Sequence, residues 1–246
     1  MTAILRGIGV AFRDRQALAD IDLTLTSGEV LAIVGPNGSG KSTLLRAMAG
    51  LVRHRGSITW NRPTIGYMPQ DSAIRAALTA FEIVLLGRLR SLSLRVAEAD
   101  LRAAQVAMEE LGIADFAHRR IGELSGGQRQ LVFMAQVLAG DPSVLLLDEP
   151  TSALDIAHQL QVLALLRGVT HRRNLTTVVV LHDLNAAARH ADRLALLDRG
   201  RLVEIGPPAA VLRPDTLKAA FGIESVVLAG PDGHPVVVPL GAAPPA

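Results

Sequence analysis

The run GPNGSGKST at residues 35–43 constrains this chain more than any other stretch. It follows EVLAIV (29–34), an apolar run that reads as a strand buried on both faces, and it leads into TLLRAMAGL, which has a helical pattern. Gly35, Gly40, Lys41 and Ser42 fall on G-x-x-x-x-G-K-[ST]; Pro36, Asn37, Gly38 and Ser39 lie between them and Thr43 follows. A strand that turns through glycines into a helix aims backbone N–H groups inward, and the helix N-terminus adds a favourable dipole. The result is a cradle for phosphates, with Lys41 reaching the β/γ-phosphates and Ser42 supplying a hydroxyl to Mg²⁺. The chain has 25 basic residues, of which only Lys41 and Lys218 are lysine. A compact ammonium on a slim stem enters a slot that a planar guanidinium does not fit. At this position the geometry of the site overrides the chain's preference for arginine.

Two further apolar runs, SVLLLD (143–148) and TTVVVLH (176–182), complete a set suited to a parallel sheet covered by helices. Such sheets bind ligands beyond the carboxyl ends of their strands. SVLLLD delivers Asp148, placed to hold Mg²⁺, and Glu149, next in line to polarise an attacking water; Pro150 ends the strand. Near the N-terminus ALADIDLTL (17–25) alternates apolar and polar as a half-buried antiparallel strand does, and GSITW (56–60) reads as another. In VAEADLRAAQVAMEELG (96–112) Leu101, Ala104, Met108 and Leu111 share one helical face, closed by Gly112. The expected organisation is one domain over 1–246, with a core of 1–70 and about 130–229 and a helical subdomain of about 71–129. The tail, 230–246, reads as a turn, then a short edge strand with prolines at its ends, then a frayed GAAPPA.

Composition narrows the function classes. Aromatics are only 3%, so the core rests on Leu, Val, Ile and Ala. A net charge of +2, with no basic run interleaved with aromatics, gives no footprint for nucleic acid. The absence of cysteine excludes disulfides and thiolate metal sites and fits a reducing compartment. No apolar run approaches the roughly 20 residues of a membrane span, and the N-terminus lacks a signal-peptide stretch. Any membrane role must come through a partner.

The stretch ELSGGQRQ (123–130), taken with the phosphate loop, VLLLDEP (144–150), SALD (152–155) and His182 in that order, resembles the ABC-type ATPases, the nucleotide-binding subunits of ABC transporters. The resemblance covers nearly the whole chain. It implies an α/β P-loop NTPase fold: a mostly parallel core sheet, an N-terminal antiparallel β subdomain and an inserted helical subdomain. It implies a homodimer whose copies pair head to tail with ATP between them. Ser125, Gly126, Gly127 and Gln128 of one copy would then meet the γ-phosphate held by the other. Gln70, in YMPQD, matches a glutamine that touches Mg²⁺ or the lytic water, and His182 matches a histidine that contacts the γ-phosphate. Asp155 would bridge the two copies, and Phe12 takes the place of the aromatic, more often Tyr, that stacks on adenine. From the residues alone, SGG before a helix also reads as an N-cap, Phe12 as a core aromatic, and Gln70 and His182 as structural.

With no second cassette and no membrane span, the resemblance implies a subunit on the cytoplasmic face of a membrane, held there by a separate integral-membrane permease. LDIAHQLQVLALL (154–166), LHDLNAAARHADRLALLDRGRLVEIGPP (181–208) and HPVVVPLG (234–241) are similar to the ATPases of iron-chelate (siderophore), haem and vitamin B12 importers. Those importers imply an extracellular or periplasmic substrate-binding protein as well. GRLRSLSL (87–94) departs from the aromatic-Pro-His cluster that the metal-chelate group often carries, which leaves zinc or manganese import open. A soluble ABC ATPase of iron–sulfur cluster assembly is the alternative from another class.

Overall fold

A computed structural model describes residues 3–13, 15–61, 63–70, 77–88, 96–152 and 154–243. The chain opens with two long antiparallel strands, β1 (Ala3–Phe12) and β2 (Arg15–Leu25). Next come β3 (Val30–Val34), α1 (Lys41–Met48) and β4 (Arg55–Trp60), which returns to the other side of β1. β5 (Ile65–Met68) precedes three helices: α2 (Ala80–Leu86), α3 (Glu98–Glu110) and α4 (Gly126–Ala139). The rest runs β6 (Val144–Asp148), α5 (Ile156–Arg173), β7 (Thr176–Val180), α6 (Leu184–His190), β8 (Arg193–Asp198) and β9 (Arg201–Gly206). Two short helices, α7 (Pro208–Val211) and α8 (Pro214–Phe221), lead to a hairpin of β10 (Ile223–Ala229) and β11 (Pro235–Ala242).

The central sheet has the order β5-β6-β7-β3-β8-β9, parallel except for β9, which pairs antiparallel with β8. The order β2-β1-β4 forms a separate antiparallel sheet. The runs VLAIV, VLLLD and TTVVV are buried at every position. Alternation splits their side chains between two cores. Ala32, Leu145, Leu147 and Val179 face the helices, whereas Leu31, Ile33, Leu146 and Val178 face α1 and the antiparallel sheet. No helix among the described residues is long and apolar enough to cross a membrane.

Several expectations change. Ala104, Ala107, Met108 and Leu111 are buried, but Leu101 is 39% exposed. It sits in the first turn of α3, at the margin of the buried stripe, where none of the described residues buries it. Gly112 (φ 67°) does follow the helix in the left-handed conformation that glycine favours. α4 packs against α2 and α3 and runs unbroken through 129, because Leu131, Val132 and Met134 continue its buried face. In the tail, Pro235 opens β11 but Pro239 lies inside it, opposite Ser225 where the pairing slips. An edge strand tolerates the missing N–H there. Gly241 and Ala242 are paired rather than frayed, and the Ala243 N–H donates to Gly222 O (2.7 Å). The departing GRLRSLSL segment lies mostly outside the described residues.

Candidate nucleotide site

Four neighbouring strands of one sheet end at the site. Gln70 lies just past β5, Asp148 ends β6 with Glu149 next, His182 follows β7, and residues 35–40 follow β3. Parallel register brings these four loops to the same edge, so residues scattered over the chain become neighbours.

The loop after β3 is a set of close approaches. Gly35 (φ 150°) has no room for a side chain: a Cβ would lie 2.0 Å from Leu197 O. Gly40 (φ 105°) is the N-cap of α1 and is hemmed in by Leu18 and Ala17 O. No side chain caps α1, so its first N–H groups remain available to an anion. Lys41 is buried, and its Nζ donates to Gly35 O (2.8 Å) and Pro36 O (2.9 Å). Burial pushes this ammonium below the ordinary lysine range, and the charges of Glu149 and Asp148 partly offset that. Ser39 Oγ is buried with no partner among the described residues.

Ser42 Oγ donates to Asp148 Oδ1 (2.8 Å), while Asp148 Oδ2 is buried without a partner. Desolvation raises the Asp148 carboxyl above its usual range, against the pull of Ser42, Arg46 and Lys41. A hydroxyl oxygen beside an orphaned carboxylate oxygen fits Mg²⁺, a hard cation that takes few protein ligands and completes its shell with phosphates and water. Glu149 has φ 51°, a strained conformation for a non-glycine residue. It turns the carboxylate back over the site, where Oε2 accepts from Gln70 Nε2 (2.7 Å) and Oε1 meets His182 Nε2 (2.5 Å). Gln70 and His182 therefore grip Glu149 itself in this state.

Beside them lies a cavity of about 780 Å³, lined by Phe12, Asn37, Lys41, Ser42, Thr43, Glu149 and His182 among others. Phe12 is 51% exposed at the end of the β1–β2 hairpin, so it is a ring on the cavity wall, not a core aromatic. Two arginines, Arg15 and Arg199, lie on the same wall. Arg15 pairs with Phe12 in register, and Arg199 sits at the β8–β9 turn; no motif marks either. Behind that turn the Gly200 N–H donates to Ser39 O (2.9 Å) and Gly200 O accepts from Ala19 N–H (2.8 Å).

Ser125, Gly126, Gly127 and Gln128 do not line this cavity. They form the start of α4 with a capping box: Ser125 Oγ accepts from Gln128 N–H (3.3 Å) and Gln128 Oε1 accepts from Ser125 N–H (3.0 Å). Asp155 caps α5, accepting from His158 N–H (2.9 Å). The SGG serine is thus an N-cap within its own chain.

This arrangement is the ATP-binding cassette of the ABC transporters: that family's model matches residues 18–152, and the chain belongs to it. The hemin import ATP-binding protein HmuV of Gloeobacter violaceus is 42% identical, over 96% of this chain and 94% of that protein. The iron(3+)-hydroxamate import ATP-binding protein FhuC of Bacillus subtilis is 37% identical, over 91% and 89%. A solved metal-chelate type ABC transporter in an inward-facing conformation is similar over 97% of both chains, at 31% identity and a TM-score of 0.89.

Proposed function

We propose that this chain is the ATP-hydrolysing subunit of an importer for an iron chelate, haem or a related metal chelate. The observation that carries the reading is the convergence of Lys41, Ser42–Asp148, Glu149, His182 and Gln70 at four adjacent strand ends. The import ATPases HmuV and FhuC, and the metal-chelate transporter, support the cargo class.

In this reading Phe12 stacks on the base, and the loop 35–40 with Lys41 and Thr43 holds the phosphates. Ser42 and Asp148 would hold Mg²⁺, which would supply charge neutralisation for the phosphates. Each Glu149 oxygen keeps a lone pair beyond the bond it already makes, so the carboxylate can accept a proton from an in-line water. His182 keeps that carboxylate aimed and presents its ring to the γ-phosphate, and Gln70 orients the water. Ser125–Gln128 lie outside the cavity, so they act on the nucleotide of a second, head-to-tail copy, with Asp155 at the shared boundary. The copies sit on the cytoplasmic side of a permease that receives cargo from an extracellular or periplasmic binding protein. Their closure and release drive the permease.

The test is capture of the tagged protein from membranes at its native level. A polytopic permease of the metal-chelate class is the expected companion. A permease of the zinc or manganese class would move the cargo, and an entirely soluble set of partners would overturn import while leaving the ATPase chemistry.

A further inference from the structure

Gly127 has no room for a side chain. A Cβ there would lie 2.6 Å from His158 Cδ2 and 2.9 Å from His158 Cγ. The imidazole filling this space belongs to the first turn of α5, a different element from the helix that Gly127 opens. Its Nδ1 is 2.9 Å from Asp155 Oδ1 and 2.8 Å from Asp155 Oδ2. One ring thus bonds the acidic end of SALD and packs on the second glycine of LSGGQ.

The backbone N–H of His158, and after it the ring, hold the Asp155 carboxyl below its usual range. The carboxylate is therefore ionised at neutral pH and fixes the Nδ1 proton toward itself, which assigns the tautomer on chemical grounds. Nδ1 anchors the ring to the loop before α5, and its carbon edge abuts the N-terminus of α4. α4 is packed among α2 and α3 and also touches α5, which lies beside α6. The ring adds a contact at the N-terminal ends of α4 and α5, where the loops before them meet.

We infer that His158 is a positioning residue that fixes the Asp155 loop to the Ser125–Gly127 loop, so that the two surfaces offered to a second copy move as one. This rests on the reading that both loops face that copy. Gly127 is then required for two reasons: its N–H lies at a helix N-terminus, and its missing Cβ makes space for the ring.

The test uses the full chain with His158→Ala and His158→Asn, alone and with Glu149→Gln. Asparagine keeps an N–H donor near the place of Nδ1 and gives up the ring. Losing a bond to a charged partner predicts about a ten-fold fall in kcat for His158→Ala, with the ATP Kd of the monomer unchanged. His158→Ala is also expected to raise the ATP concentration needed for half-maximal dimer in the Glu149→Gln background, and His158→Asn to recover most of both losses. Wild-type turnover by His158→Ala, or equal losses in both variants together with a lowered Tm, would overturn the link. Glu149→Gln alone is the control. If it dimerises with ATP while His158→Ala changes nothing, only the His158 role is lost. If it stays monomeric, the second-copy reading and the link both fall.

Discussion

Asp148 shows how much strain one residue of the site carries. Its carboxyl is fully buried, with one oxygen bonded to Ser42 and the other to nothing among the described residues. Its folded-state pKa is raised above 3.8, so the folded chain binds this proton more tightly than the unfolded chain does. Stability is therefore lost as pH rises from the unfolded value through the folded one, and the loss is complete above the folded pKa. Asp148→Asn removes that cost and keeps an oxygen for Ser42 to donate to. In the absence of nucleotide its Tm at neutral pH is expected to exceed the parent's, with the gap closing as pH falls toward 3.8. A variant that melts at or below the parent at neutral pH would show that something other than burial governs this carboxyl. Lys41 adds a second cost of the same kind, since its charged form is also disfavoured by burial. Bound phosphate would compensate the Lys41 ammonium, and its cation the Asp148 carboxylate.

Among the elements, the C-terminal hairpin is held by a side chain standing in for a strand. Asn185, in the first turn of α6, donates from Nδ2 to Val237 O (3.2 Å), and its Oδ1 accepts from Val237 N–H (2.7 Å). Arg189, further along the helix, pairs with Asp232 (2.7 Å) in the hairpin turn. Asn185→Ala would leave the buried Val237 amide without its acceptor, at about 1–3 kcal/mol. Faster hydrogen exchange across β10 and β11, with the central sheet unchanged, is the expected outcome; unchanged protection would mean that α6 does not hold the hairpin. Contacts of this kind were hidden in the sequence. The central strands were legible because short, nearly continuous apolar runs leave few other structures open, and the phosphate loop was legible because its spacing encodes a turn. Asn185 bonding Val237, His158 filling the space beside Gly127, and the positive φ of Glu149 depend on long-range packing that no local pattern records. Leu101 failed for the same reason: periodicity defines a stripe but does not say how far the neighbouring helix reaches along it.

At the scale of the whole molecule, one copy holds a complete phosphate cradle and a separate capped LSGGQ loop that does not reach it. In the proposed reading a second copy brings these together. Glu149→Gln removes the group that takes the proton while leaving the phosphate contacts, so the variant with ATP is expected to elute as a dimer and the parent as a monomer after turnover. A monomeric variant under saturating ATP would show that each copy works alone. The turn at Gly200 sets what can shift when the copies part. Its backbone bonds the phosphate loop at Ser39 and the antiparallel sheet at Ala19, and a Cβ there would lie 2.6 Å from Ala17 O. Phe12, the cradle and the β8–β9 edge are therefore one fixed jaw. The remaining jaw is the α2–α4 arm, which meets the chemistry through Gln70 and its 2.7 Å bond to Glu149. In the proposed reading, a stroke delivered to a membrane partner leaves through that arm, with Gln70 as its pivot.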